Sequence, residues 1–332
     1  MARTVPDRSG PSLGRCRSGR MATEHDTSSA VVDFVLAVGW SFFEARHAFW
    51  RLDMDRLTQT TTTHDGRVIM FAEYGPLDGL PVLSFHGTPQ CRLSVALTVG
   101  VATDLGIRLI RYDRPGCGGS DRMAGRTVAD SASDARAVLD AVGVESVPVH
   151  GGSGGTPPAM ALAALCPERV TRLALQAPIA PRKRLGHELW SQGQDPEVVD
   201  YMAHCLEGED GAATVILAEV AGLVDPDNPD TDQYAEAVRQ GPWGAVDDEL
   251  AQLGQWGFEP DDISAPTAIF YDPDETVLPP QHPQWLGEHI RNSILVIAPT
   301  LGHGGRGDDR TPDLRRMYGW LASGDLTELA ER

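Results

Sequence analysis

The chain lacks paired cysteines, a net positive charge and any long apolar run. Its five cysteines, Cys16, Cys91, Cys117, Cys166 and Cys205, are odd in number and widely spaced, with no CxxC pair. That spacing indicates neither a disulfide framework nor a zinc ribbon, and a reduced, cytoplasmic compartment is expected. Lys plus Arg is 28 against 47 Asp plus Glu, a formal charge of −19. Residues 1–20 hold five arginines against Asp7 and carry +4, so residues 21–332 carry −23. So acidic a body repels phosphate backbones and anionic lipid, and no nucleic-acid partner is expected. The most apolar stretch, residues 30–43, is broken by Asp33 and Ser41 and falls short of the ~20 residues that span a bilayer, so no membrane span is expected. No secretory signal is expected, because the Arg-rich start is followed by Ser, Gly and Asp. No internal repeat is apparent.

At 332 residues the chain is long enough to bury a core without disulfides or metal. Residues 1–56 read as an extension: a disordered tail, in which Met21 is an alternative start, and then a helix from Ser28 or Ser29 to about Arg51. From residue 57 strands and helices alternate. Thr58–Thr63 and Val68–Tyr74 read as a hairpin around Asp65-Gly66. Strands are expected at 81–85, 107–112, 147–150, 170–176, 267–271 and 294–297, with helices at 93–105, 128–142, after Ser153, at 285–290 and at 313–321. This alternation predicts an α/β fold whose mostly parallel sheet is covered on both faces. Residues 182–262 break the rhythm with several helices and carry Trp190, Trp243 and Trp256, as expected of a helical cap over the carboxyl edge of the sheet. The core is thus expected in residues 57–181 and 263–324.

The densest chemical signal is Gly151-Gly152-Ser153-Gly154-Gly155 between a strand and a small-residue helix. This is G-x-S-x-G in the strand–turn–helix context that a nucleophile elbow needs. Flanking glycines allow a tight turn that exposes the hydroxyl, and the helix start supplies a free N–H at Gly154. No Lys follows, as a phosphate-binding P-loop would require. A serine hydroxyl needs a base, and the base needs an orienting acid, in the chain order Ser, acid, His. Asp272, Asp274 and Glu275 compete for the acid after the strand 267–271, with Asp274 favoured, and His303 among glycines supplies the base. The Thr88 N–H, in His86-Gly87-Thr88-Pro89, and the Gly154 N–H are the candidate oxyanion donors; losing one such donor costs about 10²- to 10³-fold in rate.

Other signals are weaker. Asp113 to Asp121 reads as turn-making, His86 and His150 as loop-holding, and Cys91 and Cys117 as inert thiols. Asp225, Asp227 and Glu236 have calcium-loop spacing, but Pro229 and Asp230 stand where that loop requires a ligand and a glycine, so no metal is expected.

Together His86-Gly87-Thr88-Pro89, the run from Arg111 to Asp121, the elbow, Asp274 and Gly302-His303 resemble the α/β-hydrolase superfamily, and within it the capped, cofactor-free serine hydrolases. The resemblance covers residues 57–322, least closely in the cap. It implies an eight-stranded sheet, a Ser153–His303–Asp274 triad, no cofactor, and acyl transfer through an acyl-serine. Ser153 stands where the halocarbon- and epoxide-opening branches carry Asp, and Thr88 where relatives that cleave N-terminal proline carry Gly. A glycine often stands three before the acid, where this chain has Tyr271. The expected partner is a small-molecule substrate, a small, largely apolar carboxylic ester, with a homo-oligomer possible. The alternatives are perhydrolase (haloperoxidase-like) or carbon–carbon bond hydrolase chemistry on the same triad, or ligand binding without turnover.

Overall fold

A computed structural model describes residues 54–228, 231–303 and 309–330. The extension at 1–56, apart from its last three residues, lies outside the described residues. After one helical turn, α1 (Met54–Leu57), the hairpin β1 (Gln59–Thr62) and β2 (Val68–Tyr74) forms around the expected Asp65-Gly66 turn. The core then alternates β3 (Leu80–Phe85), α2 (Ala96–Asp104), β4 (Ile107–Tyr112), α3 (Ser131–Ala141), β5 (Val147–Gly152), α4 (Thr156–Leu165) and β6 (Val170–Gln176). It closes with β7 (Thr267–Tyr271), α11 (Gln281–His289), β8 (Ser293–Ile297) and α12 (Thr311–Ser323). Between β6 and β7 the described residues form the α-helices α5 (Arg182–Leu185), α6 (His187–Ser191), α7 (Pro196–Leu206), α8 (Glu209–Leu223), α9 (Asp232–Ala237) and α10 (Trp243–Leu253).

The eight strands form one sheet in the order β1-β2-β4-β3-β5-β6-β7-β8. The β1–β2 and β2–β4 pairs are antiparallel, and every pair from β4 to β8 is parallel. Central strands of a parallel sheet are covered on both faces and read as unbroken apolar runs. Leu83, Ile110, Val149, Leu173 and Ile269 are fully buried accordingly. The strands match the expected runs within one residue at each end, except that β5 continues two residues further to Gly152, so the first two elbow glycines belong to the strand.

The strand order also fixes where a site can form. After β3 the chain moves outward to β4, then returns to place β5 on the other side of β3. The loops leaving β3 and β5 therefore diverge, and the crevice between them lies at the carboxyl edge of the sheet. His86-Gly87-Thr88 follows β3 and Ser153 follows β5, so both border that crevice. Trp190 and Trp256 are buried, with their indole N–H groups donating to the Ala180 and Gln252 carbonyls, so they serve as core. No helix among the described residues is long and apolar enough to cross a membrane.

Candidate active site

Ser153 follows β5 with φ +50°, in the left-handed region that non-glycine residues rarely adopt. The turn is held from below: the Thr156 hydroxyl donates to the Ser153 carbonyl at 2.8 Å and accepts from the Ile179 N–H at 3.1 Å. Two glycines then permit close approach to the β3 loop. A Cβ on Gly155 would stand 2.4 Å from the Phe85 carbonyl oxygen, and one on Gly154 would stand 2.4 Å from Thr88 Oγ1 and 3.0 Å from the Thr88 nitrogen. The two expected oxyanion donors are thus neighbours, and the Gly154 N–H, at the start of a helical segment, is one of the donors that a helix leaves free.

His303 Nε2 lies 2.8 Å from Ser153 Oγ. The loop carrying it is pinned by the Gln176 amide on the Leu301 carbonyl at 3.0 Å, and by Arg310 on the Thr300 and Gly302 carbonyls at 2.8 and 3.0 Å. On the far side of the ring, Nδ1 faces a carboxylate at 3.1 Å, and that carboxylate belongs to Glu275. This corrects the expectation of Asp274 as the residue beside His303. The turn after β7 gives the physical reason. The Asp272 side chain accepts from the Asp274 N–H at 3.0 Å, and the Asp272 carbonyl accepts from the Glu275 N–H at 3.2 Å. This tight turn leaves Asp274 exposed at its apex and swings Glu275 inward, where it is buried. Asp272, though also buried, thus serves as the turn-maker.

Glu275 is well supplied with donors. Its Oε1 accepts from the Thr276 and Val277 N–H groups at 3.0 and 2.9 Å, and its Oε2 accepts from the His303 backbone N–H at 2.6 Å. Burial opposes ionisation, but the His303 ring and these N–H groups outweigh it and hold the pKa down at about 2. A carboxylate held below its ordinary 4.5 stabilises the fold above that pH and loses the contribution as the pH falls toward 2. The contribution is about 3 kcal/mol at most, at 1.4 kcal/mol per pKa unit. Urea unfolding followed by tryptophan fluorescence should therefore lose stability more steeply between pH 4.5 and 2.5 in the wild type than in Glu275→Gln, by up to one proton. Equal slopes would show that Glu275 keeps an ordinary pKa.

The other histidines hold structure. The Arg114 backbone N–H donates to His86 Nε2 at 3.3 Å, so Nδ1 carries the proton and donates to the Gly87 carbonyl at 2.7 Å. Burial, and then the Arg114 charge, keep His86 neutral. His150 Nδ1 meets Ser84 Oγ at 2.9 Å and the Tyr318 hydroxyl at 3.1 Å, deep in the sheet. Asp113 is likewise structural, accepting from the Arg92 N–H and guanidinium at 2.7 Å each and from the Gly119 N–H at 2.8 Å. Glu236 pairs with Arg92 at 2.7 Å. Cys91 and Cys117 are buried thiols whose burial pushes their pKa values up, that of Cys91 to about 12.

Sequence reasoning missed what helix α10 contributes. The Gln252 amide donates to the Gly154 carbonyl at 3.4 Å, and Asp248 accepts from Thr88 Oγ1 at 3.3 Å. Nearby, burial and then the charges of Asp248 and Glu219 raise the Glu249 pKa to about 8, and burial raises that of Glu219 against the opposing influence of His303.

A family model described as alpha/beta hydrolase fold matches residues 81–203. The chain is 34% identical over 125 residues to a non-heme chloroperoxidase of Streptomyces lividans, a match covering 37% of this chain and 45% of that protein. It spans less than half the length of the curated relatives it matches. Among solved structures, an esterase from Exiguobacterium antarcticum superposes with a TM-score of 0.64 at 19% identity, over 80% of this chain and 100% of that one. The esterase RhEst1 from a Rhodococcus species gives 0.60 at 20% identity, over 80% and 99%. At such identities the structural likeness speaks for the fold. With an eight-stranded sheet in this order, a strained serine after its fifth strand and a family model matched across that elbow, the chain has the α/β-hydrolase fold.

Proposed function

We propose that the protein is a serine hydrolase cleaving small, largely apolar carboxylic esters through an acyl-serine intermediate. The observation that carries this reading is the relay from Ser153 Oγ through the His303 ring to Glu275, at 2.8 and 3.1 Å. His303 takes the hydroxyl proton as Ser153 attacks the ester carbonyl, and Glu275 stabilises the imidazolium that forms. The Thr88 and Gly154 N–H groups meet the developing oxyanion. His303 then gives its proton to the departing alcohol, and a water activated by the same ring releases the acid and restores Ser153.

The preference for a neutral, apolar substrate has two supports. Helices of the insertion carry half-buried apolar side chains, among them Tyr201, Met202, Val215, Trp243 and Leu250. Burial keeps Glu249 mostly uncharged at neutral pH and raises the Glu219 pKa, so the surroundings disfavour anions and with them a substrate carboxylate. In this reading residues 182–262 are a cap whose helix α10 rests on the oxyanion loop.

A second reading, peracid formation, draws on the resemblance to the chloroperoxidase. Peroxide would replace water as the nucleophile that attacks the acyl-serine, giving a peracid and free Ser153. Rapid mixing with p-nitrophenyl acetate, butyrate and octanoate, with and without hydrogen peroxide, separates the readings. The ester reading expects one equivalent of p-nitrophenol in a burst or sustained turnover, fastest with the shorter chains, and carboxylic acid as the main product. Peracid dominating at millimolar peroxide would favour the second reading. Saturable ester binding without p-nitrophenol release would contradict both and leave a ligand-binding protein.

A further inference from the structure

One buried charge cluster lies directly behind the oxyanion loop and takes no part in the relay. Arg114, in the turn after β4, is 1% exposed, and Asp248 on α10 is 3% exposed. The Arg114 Nε and Nη2 reach Asp248 Oδ2 at 2.9 and 2.7 Å, and Arg126 binds the other oxygen of the same carboxylate. Arg114 thereby turns its remaining N–H groups on the β3 loop. Its Nη2 donates to the Gly87 carbonyl and to Thr88 Oγ1, each at 3.1 Å, and its Nη1 donates to the His86 carbonyl.

The Gly87 carbonyl therefore accepts from two sides, from Arg114 Nη2 and from His86 Nδ1. In a trans peptide the following N–H points opposite the carbonyl. The Gly87–Thr88 bond is trans. Anchoring the Gly87 oxygen on Arg114 and His86 thus turns the Thr88 N–H the other way, and the Thr88 nitrogen lies 3.0 Å from where a Cβ on Gly154 would stand. A cation on the carbonyl also polarises the amide and makes its N–H a stronger donor.

We infer that Arg114, oriented by Asp248, is a positioning residue of the oxyanion site, fixing and polarising the Gly87–Thr88 peptide whose N–H stabilises the tetrahedral intermediate. This rests on the serine hydrolase reading above and assigns a role within it. It also gives the insertion a hold on catalysis, because Asp248 sits on α10.

The test uses the full chain, with active sites titrated by a fluorophosphonate so that unfolded protein drops out. Arg114→Gln removes the charge and the fork while Asp248 keeps Arg126. For this variant kcat per titrated site should fall about 30- to 300-fold with KM within threefold, since only the transition state carries the oxyanion. The Ki of an alkyl trifluoromethyl ketone, which forms a hemiketal oxyanion with serine, should rise by a similar factor. Arg114→Lys, which restores a point charge without the fork, should recover part of the loss. A purely structural role would lower the number of titratable sites and leave kcat per site and Ki within threefold of wild type; that result overturns the proposal. If Arg114→Gln does not fold, Arg114→Lys decides by the same two readouts: unchanged values overturn the proposal, and parallel losses uphold it. A wild-type protein that forms no ketone adduct and turns over no ester would instead refute the hydrolase reading itself.

Discussion

Replacing Ser153 by alanine is expected to lower ester turnover by about 10⁴- to 10⁶-fold while leaving the protein folded. The size follows from what is removed. Alanine leaves His303 without a hydroxyl to deprotonate, so no acyl-enzyme forms, and the only catalysis left is that of the Thr88 and Gly154 N–H groups on a bound ester attacked by water. Folding should survive because the Ser153 side chain has one hydrogen bond, to His303, whereas the strained turn is held by the Thr156 hydroxyl on the Ser153 carbonyl. His303→Ala should lose turnover on a similar scale, since the two residues act as one unit. Steady-state kinetics with p-nitrophenyl butyrate, alongside circular dichroism, checks both variants. Turnover within tenfold of wild type in either would exclude the relay as the source of activity.

A second large effect separates two adjacent carboxylates. Glu275→Gln should lower kcat about 10³- to 10⁴-fold, whereas Asp274→Asn should stay within about threefold of wild type. The Glu275 Oε1 position accepts from the Thr276 and Val277 N–H groups, so the glutamine carbonyl oxygen must stay there. Its NH₂ then occupies the Oε2 position, facing His303 Nδ1 and the His303 backbone N–H. A donor facing Nδ1 favours the tautomer with the proton on Nε2, and that ring cannot accept the Ser153 proton. Asp274 is exposed at the apex of its turn, and the carboxylate on His303 Nδ1 is that of Glu275. The reverse ranking of the two variants would return the acid role to Asp274.

This pair also shows how far the sequence could be read. The placement of a serine, an acid cluster and a histidine just after strands was legible, because period and length alone identify those apolar strands. Which acid turns inward was not, because that depends on an Asp272 side chain capping its own turn, a geometry that Asp, Pro and Glu can satisfy in several ways. The hairpin at residues 59–74 and strand β4 were plain for the opposite reason: each is specified locally by its turn or by an unbroken apolar run. Arg114 and Asp248 lie 134 residues apart, and Asp247-Asp248-Glu249 reads as a solvated acidic face. Only packing α10 against the β3 and β4 loops buries that carboxylate between two arginines. The sheet is thus written in local pattern, while the support of the β3 loop is written in long-range pairing that one sequence does not display.

The central claim is that Ser153 is an activated nucleophile. It is tested most directly by exposing folded wild type and Ser153→Ala to a fluorophosphonate and mapping the modified peptide by mass spectrometry. The expected result is one phosphonyl group per chain, on Ser153, and none on the variant. A folded wild type left unmodified both by this reagent and by a smaller phosphonylating agent, or labelled equally in Ser153→Ala, would contradict it.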